Sequence, residues 1–294
     1  MALLGLLAAA AWGQQRPQSQ RDLKLEKDDV PEIAAPADAV RIPRSYALVI
    51  GIARYKNLSE PQQLRYAERD ADAMYSILIS PEGGNFRAEN VRTLIGSKAT
   101  LAGIRREIEE WLPTVAKEED RVLVYFAGHG FVDQGQAYLA PYDIELNRIA
   151  QTAYPMSRLG SAFGKIKAKW KVLLTDSCHS GAVAPDDDVR TINKSLIDMS
   201  RSLFSLTASR DRERSFESPD WGGGHGIFTY YVVRGLEGEA DENRDGIVTA
   251  DELAEYVRTN VREATSGKQN PTSARSSFDP NMLLAYVPAR AAAR

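Results

Sequence analysis

Arg121-Val122-Leu123-Val124-Tyr125-Phe126-Ala127-Gly128-His129-Gly130 decides how this chain is read. The run from Val122 to Phe126 is apolar without a break. That pattern suits a strand buried on both faces rather than one alternating between core and solvent. It stops at small residues around a histidine. A second stretch repeats the design: Lys171-Val172-Leu173-Leu174-Thr175 runs into Asp176-Ser177-Cys178-His179-Ser180-Gly181. Outward from these two, 46–52, 91–95, 203–208 and 282–287 read as further strands, with a short hairpin at 133–140. Helical spacing covers 64–79, 100–111, 157–169, 226–236 and 250–264, with Thr100 as a cap. The acidic, polar segment 182–195 reads as an exposed loop. Strands alternating with helices predict an α/β fold, a mostly parallel sheet covered on both faces.

Composition narrows the function. The 294 residues are 43% hydrophobic and 26% charged, with a formal net charge of -3. No basic field points to nucleic acid or a membrane surface as partner. Cys178 is the only cysteine, which excludes an intramolecular disulfide and any zinc site needing two thiolates. Residues 1–13 carry a short apolar run before Ala11 and Gly13 and read as a secretory signal peptide, although no Lys or Arg precedes the run. The run is too short to span a bilayer. The mature chain is therefore expected without a membrane span, secreted or periplasmic, or else cytoplasmic if the signal is not used. Residues 14–44 read as a flexible linker and 45–288 as one catalytic-size domain.

Both polar motifs follow a buried strand, and open α/β sheets bind ligands at the carboxyl ends of their strands. If the two strands are neighbours, His129 faces Cys178. A thiolate attacks a carbonyl, and an imidazole within reach takes the thiol proton and returns it to the leaving amine. The backbone N–H groups of Gly130 and Cys178 are the natural oxyanion donors, worth about 3–4 kcal/mol in comparable sites.

Phe126-Ala127-Gly128-His129-Gly130 and Asp176-Ser177-Cys178-His179-Ser180-Gly181 resemble the two catalytic motifs of metacaspases and related bacterial caspase-like peptidases. The likeness extends to Ile50-Gly51-Ile52, to Ala67, Asp70 and Asp72 at a helix start, and to Gly226-Ile227-Phe228-Thr229. It implies a caspase-haemoglobinase fold, a six-stranded mostly parallel sheet between helices, with Cys178 as nucleophile and His129 as base. His179 merely follows the nucleophile, and His225 receives no role. A catalytically silent calcium-binding scaffold and a legumain-like or clostripain-like peptidase are the alternatives.

The resemblance also bears on specificity. Metacaspases carry an acidic residue where Asp176 stands and cut after Arg or Lys. A desolvated carboxylate pairs bidentately with guanidinium, which agrees. Asp211 resembles a second acidic pocket residue, although the cysteine and glutamine usual beside it are missing. The implied partner is a peptide or protein with Arg or Lys before the scissile bond. Self-cleavage after Arg190 or Lys194 is expected on the same ground.

Near the C-terminus, 241–252 matches an EF-hand loop. Asp241, Asn243 and Asp245 offer side-chain oxygens, Ile247 its carbonyl and Glu252 a bidentate carboxylate. Gly246 makes the turn, and Thr249 stands at the water-mediated position. Calcium is the expected cofactor.

Overall fold

The computed structural model describes residues 42–177, 188, 190–192, 194–195, 203–209, 213–273 and 279–287. The signal peptide and nearly all of the linker expected at 1–44, together with Cys178, His179 and Asp211, lie outside the described residues. In chain order the strands are β1 (Ser45–Gly51), β2 (Val91–Ile95), β3 (Arg121–Gly128), β4 (Gly130–Asp133), β5 (Gln136–Leu139), β6 (Tyr154–Pro155) and β7 (Trp170–Ser177). They continue with β8 (Phe204–Thr207), β9 (Glu217–Ser218), β10 (His225–Gly226), β11 (Ile247–Thr249), β12 (Thr272–Ser273) and β13 (Leu283–Tyr286).

The central sheet has the order β12-β8-β7-β3-β1-β2. All of its pairs are parallel except β12 against β8. Every residue of β3 is buried, as its unbroken apolar run requires. The flanking helices follow the expected spacing. Ala67–Ile79 buries Ala67, Asp70, Ala71, Met74, Ile77 and Leu78. Leu101–Arg105 is capped by Thr100, whose Oγ1 accepts the Gly103 N–H at 3.1 Å. The hairpin is β4–β5, turned by Gln134 and Gly135, both at positive φ.

Two features differ from expectation. The strand expected at 282–287 exists as β13, but it pairs with β11 outside the central sheet. The sixth place is taken by β12, only two residues long. In addition, 190–192 and 194–195 are helical, not a loop. Their polar composition suggested full solvation, but Ile192 is fully buried and anchors the segment. No helix among the described residues is long and apolar enough to cross a membrane.

Arg121 joins β13 to the sheet. Its guanidinium is completely buried and donates to the carbonyls of Leu283 (2.8 Å), Leu284 (2.7 Å) and Gly84 (2.6 Å) and to Ser45 Oγ (3.1 Å). Burial pushes its pKa down to about 9. Arg121→Met leaves three buried carbonyls without these donors and is expected to cost about 3 kcal/mol or more, a fall in Tm of roughly 6–12 °C. Thermal unfolding checks this. A Tm within about 2 °C of wild type would mean that the cost of burying the charge cancels its bonds.

Candidate active site

The sheet register builds the site. β3 and β7 are parallel neighbours, with Ala127 opposite Asp176 and Gly128 opposite Ser177. The residues that follow these pairs are His129 and Cys178. Two adjacent strands thus deliver both motifs to one end of the sheet, where α/β folds place their chemistry.

His129 is fully buried and held from several sides. Its ring stacks on Tyr55 at 5.0 Å between centroids and meets Phe131 edge-on at 5.9 Å. Its backbone N–H donates to Tyr55 Oη at 2.7 Å. A side chain at Gly128 would come within 2.7 Å of that hydroxyl, so only glycine lets Tyr55 reach the motif. His129 Nε2 lies 2.6 Å from the Gln62 carbonyl oxygen. A carbonyl can only accept, so Nε2 carries the proton and Nδ1 is the basic nitrogen of the neutral ring. The loop supplying this carbonyl is pinned by Gln63. Its side chain accepts from the Tyr55 N–H at 2.6 Å and donates to the carbonyls of Tyr55 and Leu58 at 3.1 and 2.8 Å.

Gly130 opens β4 opposite Leu139, and the Ala140 N–H donates to the His129 carbonyl at 2.9 Å. That pattern makes Gly130–Leu139 a non-hydrogen-bonded pair. The Gly130 N–H therefore points away from β5, as an oxyanion donor must. Ile192 packs on this residue, with Cδ1 3.0 Å from where a Gly130 Cβ would stand.

Asp176 is buried at the end of β7. Its carboxylate accepts from Ser215 Oγ (2.7 Å), Thr229 Oγ1 (2.7 Å) and the Thr229 N–H (3.3 Å). Thr229 stands in the first turn of the helix Ile227–Arg234, whose dipole favours an anion there. The network runs on to Gln269, which donates to Ser215 Oγ at 3.2 Å and to the Ala208 carbonyl at 2.9 Å. Burial raises the Asp176 carboxyl above its ordinary range, and the bonds from Ser215 and Thr229 hold it down in part.

The structure adds a second carboxylate that the sequence did not mark as a site residue. Asp70, on the helix Ala67–Ile79, accepts the Gly226 N–H at 3.1 Å through Oδ2. A Cβ on Gly226 would stand 2.5 Å from Asp176 Oδ2 and 3.0 Å from Asp70 Oδ2, so the two carboxylates converge on one glycine. His225, left without a role above, has its Nδ1 2.7 Å from Asp70 Oδ1. The visible signal was the glycine in Gly226-Ile227-Phe228-Thr229. Nothing local says that two carboxylates require it.

The loop 241–252 is ordered by its own side chains. The Asp245 N–H donates to Asp241 Oδ1 and Asn243 Oδ1 at 3.2 and 2.9 Å, and the Gly246 N–H to Asp241 Oδ2 at 3.0 Å. Ile247 N–H donates to Asp245 Oδ1 at 2.9 Å, and Gly246 has φ 84°. Glu252 turns instead to its own helix end, accepting from Thr249 N–H and Oγ1 at 2.9 and 2.7 Å in a capping box. Among the described residues no three carboxylate, imidazole or thiolate groups gather as a metal site.

A six-stranded, mostly parallel sheet with a histidine motif and a cysteine motif at the ends of adjacent central strands is the arrangement of caspase-type peptidases. The chain belongs to the caspase domain family, whose model matches residues 44–282. Solved structures show the same fold. A Geobacter sulfurreducens protein, GSU0716, is 18% identical with a TM-score of 0.57, over 84% of this chain and 98% of its own. The Drosophila initiator caspase Dronc is 11% identical with a TM-score of 0.53, over 83% of each chain. No curated protein matches the sequence.

Proposed function

We propose that this chain is a cysteine endopeptidase that cuts after Arg or Lys, with Cys178 as nucleophile, His129 as base through Nδ1, and the Gly130 and Cys178 amides as oxyanion donors. The observation that carries the specificity is the buried Asp176. No Lys or Arg pairs with it among the described residues, and Asp70 approaches the same glycine. Two carboxylates removed from water with no Lys or Arg beside them are costly, and a guanidinium or ammonium entering between them supplies that charge. A fluorogenic peptide panel with Arg, Lys, Asp or Asn before the bond tests this. Fastest cleavage after Asp or Asn removes the assignment.

Self-cleavage after Arg190 or Lys194 belongs to the same reading. Both side chains are exposed, and Ile192 between them covers Gly130. A cut on either side of Ile192 frees one end of that segment, which favours its release from the oxyanion donor. Helical backbone must unwind to be cut, so processing is expected to be slow. Intact-mass analysis is expected to show two fragments for wild type and one chain for Cys178→Ala. A wild-type chain still whole after prolonged incubation rejects the site.

Calcium is proposed at 241–252, with Asp241, Asn243, Asp245, the Ile247 carbonyl and Glu252 as ligands, Glu252 leaving its capping box to reach the ion. Binding would tie the helix Ala250–Ala264 to the turn before it. At about 100-fold excess over Kd calcium adds roughly 2.7 kcal/mol, a rise in Tm of about 5–10 °C over chelator. Glu252→Gln keeps the cap but is expected to lose most of that rise. Equal melting curves with and without calcium remove the site.

A further inference from the structure

We propose that the Asp70–His225 pair sets the charge selectivity of this pocket: it holds a proton that a basic side chain displaces on entering beside Asp176, so preference for a cationic over a neutral substrate rises with pH. This rests on the reading of the Gly226 pocket as the seat of the substrate's basic side chain.

The geometry places the pair where it can act. His225 opens the turn into the helix Ile227–Arg234, and its side chain is 13% exposed against 4% for Asp70. Its Nδ1 and the Gly226 N–H bind the same Asp70 carboxylate whose Oδ2 faces Asp176 across Gly226. His225 is also the sole cationic-capable side chain bonded to Asp70 among the described residues. The charged groups around the pair come from each element packed on it. Asp176 stands at the end of β7. Glu217 on β9 accepts the Arg65 and Tyr66 N–H groups at 3.1 and 3.2 Å. Arg69, beside Asp70 in sequence, is turned to the Gly223 carbonyl at 2.7 Å. Anions therefore dominate the inner side, and His225 is the ionisable group bonded to Asp70 among the described residues.

Two buried carboxylates this close do not both ionise unless a cation joins them. Burial, with Asp176 adding to it, pushes the Asp70 carboxyl up to about 7, while the His225 bond pulls the other way. The proton rests on the Asp70 carboxyl, between the Asp176 carboxylate and the His225 ring. An entering guanidinium makes that proton redundant, and it leaves to solvent. No covalent bond changes. By linkage, selectivity climbs by up to tenfold per pH unit below the pair's titration and levels above it.

The test compares peptides with Arg or citrulline before the scissile bond. The two side chains share a shape, so titration of the Cys178–His129 dyad cancels in the ratio of kcat/KM values. In wild type the ratio is expected to rise at least tenfold between about pH 5.5 and 8 and then flatten. His225→Gln keeps a hydrogen-bond donor but removes the ring that helps pull the Asp70 carboxyl down, so the rise should shift to higher pH. Asp70→Asn should flatten it. Strong preference for Arg at a ratio that stays within threefold across the range overturns the proposal, as does a rise unchanged in both variants. Equal cleavage of Arg and citrulline peptides at every pH instead rejects the pocket itself.

Discussion

Cys178→Ala and His129→Gln proteins are expected to lose peptidase activity by at least about two orders of magnitude while keeping the wild-type circular dichroism spectrum. The two losses have different origins. Without the thiol no acyl-enzyme forms. Without the imidazole nothing takes the thiol proton, although the oxyanion donors remain. Gln is the better replacement for His129 because the ring fills a buried space against Tyr55 and Phe131, and Ala would leave a cavity there. The Gln amide also restores a donor toward the Gln62 carbonyl. Single-turnover assays on both proteins check the claim. Full activity in Cys178→Ala would end the peptidase reading.

Asp176→Asn is expected to lower kcat/KM for Arg peptides on the order of 100-fold and to change that for neutral residues little, since it removes a buried charge and leaves the shape. The same substitution is expected to leave the free protein as stable as wild type or more so. In the folded state Asp176 pays a desolvation cost that only helix and hydroxyl donors offset, and Asn can still accept from Thr229 through its carbonyl while its amide N–H donates to Ser215 Oγ. Opposite movements of Tm and Arg cleavage are the signature of a charge kept for a ligand rather than for the fold. A fall in both by similar proportions would make Asp176 a helix cap alone.

Hydrogen bonds tie Asp176 to several elements of the fold. Asp176 continues β7, Thr229 begins a helix, and Ser215 and Gln269 come from segments further along. Any shift in one of these elements moves the carboxylate. Tyr125 Oη lies 2.7 Å from Thr229 Oγ1, which ties this network back to β3, the strand that leads into His129. His129 and Asp176 are thus fixed to the same two neighbouring strands.

What the sequence determined alone was local. Unbroken apolar runs at 122–126 and 172–174 suit central strands, because both faces need cover. The Gly- and Ser-rich motifs after them mark strand ends where backbone must approach a ligand. Thr100 and Thr249 announce their helices through caps that bond within three residues. The tertiary structure decided what depends on residues far apart. β12 has two residues, too few to show any period, and it is a strand only because the β8 edge is there to pair with. β13 looked like a sheet strand but sits beside β11, where Arg121 binds its carbonyls. Asp70 and His225 are 155 residues apart, and the sequence alone assigned neither of them a place in the site. They meet because the helix Ala67–Ile79 and the helix Ile227–Arg234 pack together at one end of the sheet. No pattern in either segment encodes that approach: burial of the helices' apolar faces drives it, and the polar pair is carried along.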